Sequence, residues 1–256
     1  MNKKDISLQV YTTRNFKPFT DVLNFISHSG ITNIELFGLE TINLNNFKKY
    51  INNYKLTCKS SHVSFESLID TSDIIKRAKS LGIQNIIVPA PPKKGNNFED
   101  QFSLDEEEWV SFGKQLSSYI SPFEDSGLTL GYHNHSFEFK PLPSGKLPIQ
   151  CIMEHNDKLK FEIDLGWTIA GGANPITWID QYSDKIIACH LKDFFDENKD
   201  MLNHANQSAV GDGFINWREL LNSIRKTNCK LFILEHDDPV DYKNYILKSI
   251  KNLEEL

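Results

Sequence analysis

The sequence predicts an α/β fold, a single (β/α)8 TIM barrel that spans residues 1–256 as one domain. Eight strand-like and eight helix-like segments alternate along the chain, and this order favours parallel strands joined by helical crossovers. The length of 256 residues agrees with the roughly 250 residues that such a barrel occupies. Four of the strand-like segments end in histidine, aspartate or glutamate, the residue types that ligate metals. A doubly wound open sheet is the alternative arrangement of the same elements.

The first half of the chain contains four predicted strand–helix repeats. The strands are Ile6–Tyr11, Ile31–Phe37, Leu56–Val63 and Asn85–Pro89, and the helices are Phe19–Ser29, Leu44–Tyr54, Ser72–Leu81 and Leu104–Asp125. Gly30 follows the first helix, where it can adopt the left-handed backbone conformation that often ends a helix. Leu104–Asp125 is expected to be the longest helix, and the acidic residues Asp105 to Glu108 in its first turn interact favourably with the helix dipole.

The second half contains four further predicted repeats. The strands are Leu128–Tyr132, Leu159–Asp164, Ile186–Leu191 and Leu231–Glu235, and the helices are Ile149–Asn156, Pro175–Tyr182, Trp217–Lys226 and Pro239–Leu253. Two long polar segments, Ala90–Gln101 and Asp193–Gly213, each follow a strand. We therefore expect both on the face where barrel active sites are built, where either can act as a lid.

Composition and the amino-terminal sequence favour a soluble, cytoplasmic protein. The formal net charge of -6 offers no general attraction for phosphate backbones, which argues against a nucleic acid partner. The four cysteines are scattered without a C-x-x-C pair, as is typical of free thiols in a reducing compartment. Met1 leads directly into the first predicted strand, and no apolar run approaches the roughly 18 residues of a membrane-spanning helix. We expect no membrane association.

Ligand-type side chains repeat at the ends of four predicted strands. They lie in the runs Gly131–Phe139, Glu162–Asp164, His190–Asp193 and Glu235–Asp237. Alternate residues of a strand share a face, so the inward faces of these strands would together carry one set of polar side chains. Its members are His133, His135, Asp164, His190, Lys192 and Glu235. Because the carboxyl ends of barrel strands meet at one rim, the pattern predicts one polar site built from several strands.

These runs resemble the xylose isomerase-like barrels. The resemblance is carried by Gly-Tyr-His-Asn-His-x-x-Glu-Phe from Gly131, followed by Asp-Leu-Gly-Trp, His-Leu-Lys-Asp, Gly-Asp-Gly and Glu-His-Asp. The early segment Leu8–Arg14 is similar to the first strand of the family, so the resemblance covers essentially the whole chain. This superfamily comprises sugar phosphate isomerases and epimerases, and it includes inosose dehydratases, ketose 3-epimerases and endonuclease-IV-type enzymes.

The resemblance implies one divalent metal ion, Mn, Mg, Co or Zn, held by Glu, Asp, His and Glu in chain order. The last three ligands correspond to Asp164, His190 and Glu235. The first corresponds to Glu138 or to His133, because Glu138 fits the motif whereas related barrels have a glutamate where His133 stands. We expect Glu138, because a mixed carboxylate–imidazole site suits these cations.

The resemblance also implies a reaction, the isomerisation or epimerisation of a sugar or sugar phosphate by proton abstraction α to a carbonyl. By this resemblance Glu138 and Glu235 would shuttle the proton. Lys192 would stabilise the developing oxyanion, and His133 or His135 would relay protons to hydroxyl groups.

Four residues are candidates for contacts with the substrate. They are Glu35, His62, His135 and Trp167. Trp167 is equally suited to packing, and Glu35 to pairing with a loop lysine. Glu162 is interpreted either as an inward charge or as a barrel-wall residue paired with Lys160 or Lys192.

A small sugar or polyol is the expected partner. Whether it carries a phosphate stays open, because Lys93, Lys94 and Arg14 are each able to bind a phosphate or simply to face solvent. Barrels of this type frequently pair through their strand-end loops and helices, so a homo-oligomer is compatible with the resemblance.

Three other functions compete with the isomerase or epimerase. Loss of a β-substituent after the same proton abstraction would make the protein a lyase or dehydratase, acting on a keto-inositol or a 3-keto-glycoside. A non-catalytic sugar-binding barrel is the second alternative. An endonuclease-IV-like enzyme is disfavoured, because such sites need a histidine three residues after the aspartate, where this chain has Trp167.

Overall fold

Eight parallel strands close into a barrel in the computed structural model, which describes residues 1–256. The barrel strands are β1 (Ile6–Gln9), β2 (Asn33–Phe37), β3 (Thr57–His62), β4 (Asn85–Val88), β5 (Thr129–His133), β6 (Lys160–Asp164), β7 (Ile186–Leu191) and β10 (Leu231–Leu234). Two short strands, β8 (Asp193–Phe194) and β9 (Gln207–Ser208), form a separate antiparallel ribbon. Each barrel strand pairs with the next, and β10 pairs with β1. The predicted barrel is therefore confirmed, and the open sheet is excluded.

Helices connect and surround the strands. They are α1 (Phe19–Ser29), α2 (Leu44–Asn53), α3 (Thr71–Leu81), α4 (Glu106–Ser118), α5 (Ile120–Asp125), α6 (Pro148–Met153), α7 (Leu165–Ala170), α8 (Pro175–Gln181), α9 (Trp217–Ile224) and α10 (Tyr242–Glu255). Short 3-10 helices occupy Lys3–Asp5, Val10–Thr13, Phe65–Asp70, Glu99–Phe102, Phe137–Phe139 and His204–Asn206. No helix has the length and the apolar character that a membrane-spanning segment requires.

Two helical segments differ from the sequence-based prediction. The segment Leu104–Asp125 contains two helices, α4 and α5, separated by Tyr119. Pro122 has no amide hydrogen for the helical bond to the carbonyl four residues earlier, which explains the break. The longest helix is instead α10, with 14 residues. Helix α7 is absent from the prediction; Asp164 begins it by accepting a hydrogen bond of 2.7 Å from the amide of Trp167.

The interior of the barrel changes from apolar to charged along the strands. Ala188, Leu231 and Ile233 form a small buried apolar cluster of their own. Two residues further along the same strands, His190 and Glu235 follow on the same face, because strand side chains alternate. Charged side chains inside the barrel are thus concentrated at the carboxyl ends of the strands.

The carboxylate of Asp193 organises the long segment after β7. Its Oδ2 accepts hydrogen bonds from the indole Nε1 of Trp217 and the amide of Gly211, both at 2.8 Å. A side chain at Gly213 would place its Cβ 2.2 Å from Asp193 Oδ1, so only glycine fits there. The segment 193–213, predicted as a polar insertion, is therefore fixed to the barrel at both ends.

We expect Asp193→Ala to lower the free energy of unfolding by about 2–4 kcal/mol, because buried donors would lose their charged acceptor. Urea unfolding followed by circular dichroism measures the change. Glu197→Ala removes an exposed acid from the same segment and should change stability by less than about 0.5 kcal/mol. An unchanged unfolding midpoint in Asp193→Ala would show that other contacts hold the segment.

Candidate active site

Polar side chains from six strands converge at the carboxyl end of the barrel. They are Glu35, His62, His133, Asp164, His190 and Glu235, each less than 9% exposed. Each lies in the last residues of its strand or directly after it, on the inward face. The sequence-based prediction of one polar site made from several strands therefore agrees with the arrangement of these side chains.

Three imidazoles and two carboxylates, one of them Glu162, form a compact hydrogen-bonded cluster at this end of the barrel. Glu162 Oε1 is 2.6 Å from His62 Nε2, 3.2 Å from His133 Nδ1 and 3.1 Å from His190 Nε2. Glu35 Oε2 is 2.7 Å from His190 Nε2 and 3.3 Å from His62 Nε2. We name these five residues the inner cluster. Glu162 is thus an inward charge paired with histidines, and its predicted pairing with Lys160 or Lys192 is wrong.

Ion pairing balances the charges of the inner cluster. Burial by itself would lower the pKa of His62, but the carboxylates of Glu35 and Glu162 outweigh it and raise the pKa to about 10. The same carboxylates and Glu235 hold the pKa of His190 well above its ordinary value, against the effect of burial. A protonated His62 therefore offsets part of the negative charge of the two carboxylates at neutral pH. His190 can ligate a cation only after it loses its own proton.

A second set of ligand atoms lies beside the inner cluster and shares two of its histidines. His133, Asp164, His190 and Glu235 each contribute an atom, and all these atoms lie within 4.8 Å of one another. We name these four residues the outer cluster. Asp164 Oδ2 is buried and has no hydrogen-bond partner, and burial raises the pKa of this carboxyl to about 7. An unpartnered buried carboxylate oxygen beside imidazoles and a second carboxylate fits a divalent cation.

Glu138, the expected first ligand, lies outside both clusters. Its Oε1 accepts a hydrogen bond of 2.6 Å from the hydroxyl of Tyr132, and its Oε2 accepts one of 3.1 Å from the amide of His135. Tyr132 packs against Phe112 of α4, on the side of β5 that faces the helices. The 3-10 turn after β5 thus directs Glu138 away from the barrel interior, and this geometry favours His133 over the expected Glu138 as a ligand.

Lys192 is fully buried among acidic groups at the edge of the outer cluster. Its Nζ donates to Asp237 and lies 3.2 Å from Glu235 Oε2 and 3.9 Å from Asp164 Oδ2. It also lies 4.6 Å from the centre of the Trp167 ring. Burial opposes its charge, but these carboxylates raise the pKa of Lys192 above its ordinary value.

A cavity of about 540 Å³ opens above the two clusters. His62, His133, His135, Trp167 and Glu235 are the predicted site residues that line it. Asp164 and His190 lie just beneath its floor. The nitrogen Nδ1 of His135 is buried without a partner, and burial lowers the pKa of this imidazole to about 3, so the ring is neutral.

Two of the predicted site residues lie behind the cavity wall. Neither Lys192 nor Glu35 lines the cavity. Lys192 contacts Glu235 and Asp237 instead, and Glu35 is held by His62, His190 and the amide Nε2 of Gln9 at 2.9 Å. This arrangement favours supporting positions over the expected oxyanion role of Lys192 and substrate contact of Glu35, because strand alternation indicates the face of a side chain but not its depth.

Asp237 lines the cavity and is absent from the predicted site. It accepts hydrogen bonds from Lys192 and from Gln207 Nε2, and its amide donates to Gln207 Oε1 at 2.8 Å. The signal was present in the sequence, because Asp237 follows Glu235 by two residues and so continues the same face. Gln207 lies on β9, so Asp237 also ties the ribbon to the site.

Solved structures of other proteins share this barrel. A sugar phosphate isomerase/epimerase from Parabacteroides distasonis ATCC 8503 has a TM-score of 0.76 at 20% identity, over 99% of this chain and 94% of that chain. The IOLI protein with a binding zinc atom has a TM-score of 0.70 at 16% identity, over 98% of this chain and 96% of that chain. At these identities the likeness shows the fold alone.

Sequence comparison identifies two curated relatives and one family. One of the relatives, an inosose dehydratase from Lacticaseibacillus casei, is 23% identical over an alignment of 172 residues that covers 61% of this chain and 57% of that relative. The match thus spans little more than half of the relative's length. The family model described as xylose isomerase-like TIM barrel matches residues 23–256, which include seven of the eight barrel strands. The chain belongs to the xylose isomerase-like TIM barrel family.

Proposed function

We propose that the protein is a divalent-metal-dependent enzyme that isomerises or epimerises a sugar by proton abstraction α to a carbonyl group. The observation that carries the proposal is the outer cluster, in which a buried carboxylate oxygen of Asp164 lacks a partner and two other members, His133 and Glu235, line a large cavity. Buried, unpartnered and perturbed acidic groups beside a cavity are characteristic of catalytic sites.

The proposed ligands are the four residues of the outer cluster, with His133 in the place where we had expected Glu138. The outer cluster is preferred over the inner one because its carboxylate Glu235 lines the cavity, so a substrate can approach an ion held there. Glu35 and Glu162 each have an unpartnered oxygen as well, but neither lines the cavity and both are paired with His62. The zinc atom of the IOLI protein supports a metal site in such a barrel, and Mn, Mg, Co and Zn all suit these ligands.

Glu235 is the proposed base. When bound, a divalent cation supplies polarisation of the substrate carbonyl and offsets the negative charge that develops on its oxygen. Burial disfavours an ionised Glu235, but Lys192 and His190 hold its pKa well below the ordinary value. The carboxylate is therefore ionised at neutral pH, faces the cavity and can accept the α-proton.

The remaining residues hold the base in position or form hydrogen bonds with the hydroxyl groups of the substrate. Lys192 holds the carboxylates of Glu235 and Asp237 in place and keeps them ionised, without contacting the substrate. His135 presents a neutral imidazole to the cavity and can bond a substrate hydroxyl. Trp167 forms part of the wall and lies over the ammonium group of Lys192.

A lyase or dehydratase is the second candidate. It shares the proton abstraction, after which a β-substituent leaves instead of a proton returning to carbon. The similarity to an inosose dehydratase favours this outcome. The residues that abstract the proton are the same in both cases, so the two reactions differ only in their products.

Proton exchange tests the proposal directly. We expect the metal-loaded protein, incubated with a panel of keto-sugars and inososes in D2O, to introduce one deuterium at the carbon next to the carbonyl of at least one substrate, as measured by mass spectrometry. An epimer or isomer carrying deuterium identifies an epimerase or isomerase, and a product lighter by water identifies the dehydratase. Sugar binding with neither deuterium exchange nor loss of water would contradict an enzymatic function and favour the sugar-binding barrel.

A further inference from the structure

The cavity has more room than one sugar ring needs. Its volume of about 540 Å³ falls within the range of sites that enclose ligands much larger than a monosaccharide. The proposed base lies at the floor, whereas the segments around Phe37, Phe65 and Phe98 line the outer part. A monosaccharide at the floor would leave this outer part to water. We name the part lined by Tyr11, Phe37, Phe65 and Phe98 the outer chamber.

Aromatic side chains are exposed in the outer chamber. Phe98 is 45% exposed and Phe37 is 36% exposed, although both are large apolar side chains. Phe98 packs edge-on against His135 at 5.1 Å, and Phe37 against Tyr11 at 5.2 Å between ring centres. Exposed apolar surface grouped at the mouth of a cavity marks a binding surface for apolar or ring-shaped groups.

The charge of the cavity lining opposes a phosphate. The lining includes five carboxylates, from Glu40, Glu66, Glu99, Glu235 and Asp237. Glu235 and Asp237 at the floor are offset by the buried Lys192 and the protonated His62. The other three, Glu40, Glu66 and Glu99, stand against one lysine, Lys93, and no arginine. A phosphate dianion beside these three would enter a negative field, and like charges repel strongly where water is partly excluded.

The other basic residues considered for phosphate binding are occupied elsewhere. The Nζ of Lys94 lies 3.0 Å from both carboxylate oxygens of Glu108 and donates to the carbonyl of Ser103. Arg14 lies 3.9 Å from the ring centre of Tyr11 and donates to the carbonyl of Tyr11 at 3.1 Å. Neither residue lines the cavity.

We infer that the substrate is an uncharged glycoside whose reacting sugar carries a carbonyl group and lies at the floor beside Glu235, and whose second ring occupies the outer chamber. The inference rests on the proposed function and adds the substrate class. The second ring is aromatic or is a sugar presenting its C–H face, since both pack on aromatic side chains. Sugar phosphates are excluded from this site by the carboxylates of its lining.

Calorimetric titration of the metal-loaded protein with three probes tests the inference without requiring turnover. The probes are phenyl β-D-glucopyranoside, D-glucose and D-glucose 6-phosphate. We expect the phenyl glucoside to bind about tenfold more tightly than glucose, and the phosphate to bind more weakly than glucose. Phe98→Ala should lower the affinity for the phenyl glucoside about tenfold and leave that for glucose unchanged.

Two further variants make the titration specific. Phe195→Ala removes a phenylalanine that is 58% exposed and lies outside this cavity, so it should leave all three affinities unchanged. Glu99→Lys should raise the affinity for glucose 6-phosphate alone. Tightest binding of the phosphate by the wild type, or an unchanged phenyl glucoside affinity in Phe98→Ala, overturns the inference. Proton exchange on a sugar phosphate would overturn it while leaving the proposed function intact.

Discussion

Glu235→Gln is expected to lower the rate of proton exchange by a factor of about 10²–10⁴, the usual contribution of a general base. The amide cannot accept the α-proton, and it is a poorer ligand for a divalent cation than a carboxylate. The rate of deuterium incorporation into the substrate that the D2O screen identifies is the measurement. Circular dichroism of the variant should match that of the wild type, because glutamine has nearly the same shape.

Glu107→Gln is the matched control for this variant. Glu107 is exposed on α4 and is remote from the cavity lining, so the same change of carboxylate to amide should leave the rate unchanged. If Glu235→Gln exchanges protons at nearly the wild-type rate, Glu235 is not the base. The cavity-lining residues His135 and Asp237 would then be the next candidates.

Metal content is expected to separate the two candidates for the first ligand. Wild-type protein loaded with Mn²⁺ or Zn²⁺ and dialysed should retain about one equivalent per chain. His133→Ala should lose most of it, because loss of even a residue that supports a ligand typically costs about 10–100-fold in affinity. Glu138→Gln should retain the ion, because both oxygens of Glu138 are engaged by Tyr132 and His135. Elemental analysis measures all three proteins.

Glu162→Gln extends this test to the inner cluster. It should retain about one equivalent if the ion belongs to the outer cluster. Retention in His133→Ala together with loss in Glu138→Gln would reinstate Glu138 as the ligand. Two equivalents in the wild type, with one lost in Glu162→Gln, would assign a second ion to the inner cluster and contradict the single-ion site.

Strand periodicity and strand endings made most of the barrel predictable. Apolar runs such as Ile186–Leu191 are buried on both faces, and their β-branched residues favour strands over helices. Helix boundaries were less predictable, because they depend on single residues. The proline at position 122 carried the signal for the break between α4 and α5, since it removes one helical hydrogen bond.

The sequence predicted which face of a strand carries each residue of the candidate site. It did not predict how deep a side chain lies, or where a side chain points once the strand has ended. Alternation along β7 and β10 correctly grouped His190 with Glu235. It did not show that Lys192 lies too deep to line the cavity. Alternation also ends where β5 ends, so the direction of Glu138 depends on a 3-10 turn and on the hydroxyl of Tyr132.

The sequence by itself determined the barrel, the rim that carries the polar residues and three of the four proposed ligands, Asp164, His190 and Glu235. The barrel and the rim follow from local periodicity in neighbouring residues, and the three ligands follow from the resemblance to the xylose isomerase-like barrels. Only the tertiary structure favours His133 over Glu138, shows the inner cluster and brings the acidic and aromatic walls of the cavity together. Those features arise from side chains far apart in sequence, such as Glu35 and His190, whose distance is set by closure of the barrel and not by any local pattern.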